Sequence, residues 1–130
     1  MAGGMKVKED TNGFIPTEAL LAVIDSIQDK GRLEAYVHDT LGKLTDYDEK
    51  HHADSLSFLE TWIRYSGNVP KITEELYLHR NTVHYRINKV KEILGYDDLD
   101  YAAISNLWFA FLVRQVLHRE KNEENNGGAL

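Results

Sequence analysis

The sequence predicts an all-α domain of about six helices. Three observations carry that prediction. Apolar residues recur at steps of three and four along most of the chain, the spacing that lines one face of a helix. No period-2 alternation lasts beyond a few residues, and the Asn12-Gly13 pair precedes a helix rather than joining two β-branched runs. Pro, Gly and Asn fall where those helical stretches start and stop.

In order, residues 1–15 are polar and glycine-bearing, expected to be a disordered segment or a cloning remnant. Pro16 or Thr17 opens the first helix, with Leu20, Leu21, Ile24 and Ile27 as its stripe, and Gly31 breaks it. A second helix is expected from about Arg32 to Leu41, ended or loosened by Gly42, with Leu44 to Glu49 as a connection. A third spans about Asp54 to Ser66, with Leu56, Leu59, Trp62 and Ile63 inward. Asn68 caps a short fourth helix with Pro70 in its first turn, where a missing N–H costs nothing. Ile72, Leu76 and Leu78 form its apolar side. After a turn at Leu78-His79, a fifth helix runs from about Arg80 to Leu94, and Gly95 follows as a stop. Asp97 to Asp100 is an acidic turn able to cap a sixth helix from about Tyr101 to Arg119. That helix is apolar on more than one stripe, which suits a central core position, an oligomer contact, or both. Residues 120–130 are expected to be a disordered tail, so the domain is 16–119.

Composition narrows the function. A chain of 130 residues makes one domain with one core, and 42% apolar residues is ordinary for a globular chain. The absence of cysteine rules out a disulfide framework or thiolate metal site and fits a reducing cytoplasm, the expected location. No stretch approaches the roughly 20 apolar residues of a membrane span. The six histidines have no ligand spacing: His79 and His84 are five apart, His51 and His52 adjacent. No phosphate-binding glycine loop, nucleophile elbow or dinucleotide fingerprint is present. An enzyme, a metal and a cofactor are therefore not expected. Trp62 and Trp108 lie within apolar stripes, which favours core packing over a ligand pocket.

The chemistry sits at 68–94, where two helices meet at a tight turn. From His79 to Lys91 there are four cations and no acid. The whole chain carries −6 and this segment +4, so the remainder carries −10, the difference between the two. Phosphate attraction depends on potential within about a Debye length, roughly 8–10 Å, so the local excess matters more than the total. On the fifth helix Val83, Ile87, Val90 and Leu94 make the apolar stripe, and Asn81, Tyr85, Asn88 and Glu92 point away from it. Arg and Asn are the side chains able to make bidentate contacts with guanine and adenine edges. Double-stranded DNA is the partner this pattern predicts. Arg80, Asn81 and His84 are expected at base edges, and Thr82, Tyr85, Arg86 and Lys89 at phosphates or groove walls, with Lys71 near phosphates from the fourth helix. Arg86 lies nearer the apolar stripe, so a structural ion pair stands equally beside its DNA role.

The run Leu78-His79-Arg80-Asn81-Thr82-Val83-His84-Tyr85-Arg86-Ile87 resembles the HRNT-x-x-YR signature of the PucR/CdaR family of bacterial transcription regulators. Leu59-Glu60-Thr61-Trp62, Gly67-Asn68-Val69, Leu94-Gly95, Leu41-Gly42-Lys43-Leu44 and Tyr47-Asp48 are similar to further segments of that family. The resemblance covers roughly 17–117. It implies a C-terminal, Fis-like helix-turn-helix domain that binds DNA sequence-specifically. It matches Arg80, Asn81, Thr82, Tyr85 and Arg86 to the signature and leaves His84 at a variable position. It also implies an upstream sensory region. Weak binding by one acidic copy suggests a homodimer, with the Tyr101–Arg119 helix as a contact. The competing reading is a helical dimerisation or protein-interaction module without DNA binding, favoured by the acidic total and the apolar sixth helix.

Overall fold

The computed structural model describes residues 18–128, which form six helices. These are α1 (Glu18–Asp25), α2 (Lys30–His51), α3 (Ser55–Arg64), α4 (Val69–Leu76), α5 (Arg80–Leu94) and α6 (Tyr101–Gly128). No strand occurs among the described residues, as expected. The expected N-terminal segment 1–15 and the helix start at Pro16 or Thr17 lie outside them.

Two long helices, α2 and α6, pack along each other and carry the rest. One core joins α2 to α3, α4, α5 and α6 through Leu41, Leu44, Phe58, Leu59, Ile63, Ile72, Val83, Ile87, Val90, Leu107 and Phe111. A second closes the far end, where Leu21 and Ile24 of α1 meet Leu33 of α2 and Leu112, Val113, Val116 and Leu117 of α6. The Tyr36 hydroxyl donates to Asn106 Oδ1 at 2.6 Å between the two regions, and burial pushes that phenol above its ordinary pKa. The apolar excess of α6 is thus used mainly inside the chain, as its neighbours are α1, α2 and α3. Trp62 and Trp108 pack against the first core, as expected.

The α2 expectation is corrected. The helix does not stop at Gly42 but runs to His51, through the stretch expected as a connection. Leu41 and Leu44, one turn apart, are both buried, and that packing outweighs the roughly 1 kcal/mol cost of a mid-helix glycine. Helix α2 then ends at His52, which takes the left-handed conformation. Helix α6 likewise continues past Arg119 to Gly128, so residues 120–128 are helical where a disordered tail was expected. Its start follows the expectation: Asp100 Oδ1 accepts from the Ala103 N–H at 2.9 Å.

The turn geometry has two unequal solutions. At the end of α3, Gly67 has φ +70°, and a Cβ there would stand 3.1 Å from the Trp62 ring, so a side chain would be both strained and crowded. At the end of α4 the left-handed position is filled by Tyr77, with φ 56° and a ring that is 94% exposed. Such a backbone costs a non-glycine residue roughly 1–2 kcal/mol.

Two substitutions test this description. Leu44→Ala is expected to lower unfolding free energy by about 2–5 kcal/mol in chemical denaturation, the cost of emptying a buried leucine site. A loss of a few tenths would return Leu44 to a solvated connection. Tyr77→Gly is expected to raise stability by about 0.5–1 kcal/mol, the relief of the left-handed backbone less the added chain entropy of glycine. A fall in melting temperature would show the Tyr77 ring to be packed.

Candidate nucleic-acid interface

The interface is built on α4 and α5. Asn68 caps α4 by accepting from the Lys71 N–H at 3.2 Å, with Pro70 in the first turn. Ile72 is fully buried and ties α4 to the core. Tyr65 at the end of α3 braces α4 from outside, its hydroxyl donating to Glu75 Oε1 at 3.1 Å. Burial first, then the Glu75 carboxylate, holds that phenol above its ordinary pKa. The chain reverses through Tyr77 and Leu78, and α5 starts at Arg80, the expected residue. His79 caps it: Nδ1 accepts from the Asn81 N–H at 3.0 Å. An imidazole cap needs that nitrogen unprotonated, which assigns the ring proton to Nε2. At the other end Gly95 closes α5 with φ 83°.

The stripe Val83, Ile87 and Val90 is buried against the core, as the spacing predicts. That burial fixes what remains outside. Arg80, Asn81, Thr82, His84, Tyr85 and Asn88 are all exposed, on the first three turns of the helix. Tyr85 is 67% exposed, so its ring covers little of the protein. Lys71 is exposed on α4.

Two of the expected contact residues are engaged elsewhere. The Arg86 guanidinium pairs with Asp54, the residue preceding α3, and lies 4.9 Å from the centroid of the buried Phe58 ring. Its structural alternative is therefore the geometry observed. Lys89 Nζ stands 3.6 Å from Glu92 Oε1 and 5.8 Å from the Tyr47 ring centroid, between α5 and the end of α2. Four of the five cations of this motif thus divide, and the fifth, Lys91, is half-buried near the end of α5. Arg80 and Lys71 are exposed, whereas Arg86 and Lys89 lie against α3 and α2.

Sequence reasoning passed over one exposed residue of the motif, Tyr77. No periodicity marks it, because its prominence comes from a left-handed turn that usually selects glycine. A separate groove of about 550 Å³ lies between the end of α3 and the start of α6, lined by Trp62, Leu99, Tyr101, Ile104 and Trp108. No helix among the described residues is long and apolar enough to cross a membrane.

Comparison with known proteins agrees with this geometry. Residues 55–113 match the PucR C-terminal helix-turn-helix domain, a span holding α3, α4, α5 and the first half of α6. The chain is 28% identical over 74 residues to the DNA-binding transcriptional activator AdeR of Bacillus subtilis, covering 57% of this chain and 18% of that protein. It is 26% identical over 90 residues to the proline-responsive transcriptional activator PutR of the same organism, covering 69% of this chain and 22% of that one. An uncharacterised protein from the pkwA 5′ region of Thermomonospora curvata is 35% identical over 52 residues, 40% of this chain and 29% of its own. The chain therefore spans about a fifth of the length of the two activators. No solved structure gives a significant match. A capped two-helix motif with an outward polar face, its HRNT-x-x-YR signature and the match over 55–113 lead to one identification: residues 55–113 carry a PucR C-terminal helix-turn-helix domain.

Proposed function

We propose that this domain reads a specific operator by placing the N-terminal half of α5 in the major groove of double-stranded DNA. The observation that carries the proposal is the exposed set Arg80, Asn81 and His84, at the start of a helix whose opposite side is locked into the core. The first turns of a recognition helix are the part that reaches base edges. Arg80 has the fork for a guanine edge and Asn81 the amide for an adenine edge. His84, one turn on, reads a further base. Thr82 and Tyr85 offer hydroxyls to phosphate, and Lys71 reaches the backbone from α4 beside the Asn68 cap.

The acidic body sets how the domain is used. With −6 overall, a single copy gains little from non-specific attraction. The proposal therefore includes a homodimer on two half-sites about 34–36 Å apart, one helical turn of DNA. Most of the apolar residues of α6 are buried within the chain, so the part of that helix left for a second copy is its Tyr101–Trp108 end. An upstream sensory region, which the family resemblance implies, would control when the domains are presented together. The setting is the cytoplasm, where the DNA is.

Two measurements test the reading. Fluorescence anisotropy with a random-sequence duplex at low and moderate salt should show salt-sensitive binding that Arg80→Ala/Asn81→Ala loses. If neither protein binds, even when two copies are joined as a forced dimer, the domain is an interaction module instead. The slope of log K against log salt should be shallow, about −1 to −2 per domain, because Lys71 and Arg80 are the exposed cations of the motif and each phosphate that a Lys or Arg neutralises adds about −0.9. A slope of about −3.6 would mean that Arg86 and Lys89 leave their partners for phosphates.

A further inference from the structure

The start of α3 is capped in an unusual way. Asp54 occupies its N-cap position yet makes no side-chain cap hydrogen bond. Asp48, near the end of α2, supplies the cap instead: Oδ1 accepts from the Ser55 N–H and Oδ2 from the Leu56 N–H, both at 2.8 Å. The Asp54 carboxylate is thereby left to pair with Arg86 on α5, across 32 residues of sequence. The Arg86 guanidinium also lies over the Phe58 ring, one turn into α3, at 4.9 Å from its centroid.

From this arrangement we propose that Asp54 and Arg86 form a positioning clamp that sets the rotation of α5 about its own axis, and so the aim of Arg80, Asn81 and His84. Apolar burial of Val83, Ile87 and Val90 holds α5 down, but such contacts are non-directional. A charge-assisted pair to a guanidinium fork is directional. The difference matters for base reading. Side-chain tips lie about 5–6 Å from a helix axis, so a roll of about 20° moves them about 2 Å. A hydrogen bond confined to roughly 2.7–3.2 Å does not survive that shift. Arg86 thus serves as a positioning residue, and Asp48 makes the clamp possible by taking over the cap. This inference rests on the DNA-binding reading above.

The test turns on a sign. Removing an acidic residue beside a DNA-binding face should strengthen binding if only charge counts. The clamp predicts the reverse. The probe is a duplex selected from a randomised pool by the wild-type domain. Asp54→Ala and Arg86→Ala should each weaken binding about ten-fold, the double variant should be no weaker than either, and the salt slope should match that of wild type. Asp54→Asn, nearly isosteric, runs beside them with circular dichroism as the check on folding. The clamp is overturned if the Asp54 variants bind as tightly as wild type or tighter, or if Arg86→Ala lowers the salt slope by about 0.9, the mark of a lost phosphate contact. If wild type selects no duplex, the DNA-binding reading fails and melting temperatures decide the clamp. Non-additive losses in the two single and the double variants keep it, and additive losses overturn it.

Discussion

Burial of one side of α5 is the constraint on which the rest of the molecule depends. Val83, Ile87 and Val90 are buried where α5 packs on α2, α3 and α4, so the helix cannot turn its other side inward. Fully burying such side chains stabilises by about 1.5–3 kcal/mol each. The residues that would recognise DNA make no comparable contribution to the fold. They lie outside because the opposite face is committed. The same burial explains why α2 must run unbroken to His51, since Leu41 and Leu44 are part of the floor under α5.

Charge is distributed to serve the same arrangement. Arg86 and Lys89 bind α5 to its supports, and Arg80 stands at its exposed tip. A helix that looks uniformly basic in sequence thus has cations of two kinds. The supporting ones are themselves partly covered by α3 and α2, while their carboxylate partners Asp54 and Glu92 stay exposed. The exposed one is left to meet a ligand. The acidic remainder of the chain then favours approach through this face.

Much of this was legible beforehand, for local reasons. Helix α5 begins and ends at the expected residues because its signals, a period-3.6 stripe and a terminal glycine, act over neighbouring positions. Asn68 and Asp100 cap as expected for the same reason. What escaped was non-local or against local preference. Gly42 reads as a stop, and only the packing of Leu44 against distant helices overrides it. The tail after Arg119 reads as polar and broken by Asn and Gly, yet continues α6. The partner of Arg86 lies 32 residues away, so spacing along α5 left its role open between DNA and an ion pair. Tyr77 occupies a left-handed turn that no residue preference predicts for tyrosine.

The most direct test of α5 as the reading helix is a two-dimensional NMR titration of the 14.9 kDa chain with duplex DNA, following backbone amides and the Asn81 and Asn88 side-chain amides. Shifts should concentrate at Lys71 and from Arg80 to Asn88, leaving α1 and the start of α2 still. Shifts confined to the groove around Trp62, Tyr101 and Trp108, or spread evenly over the surface, would contradict it.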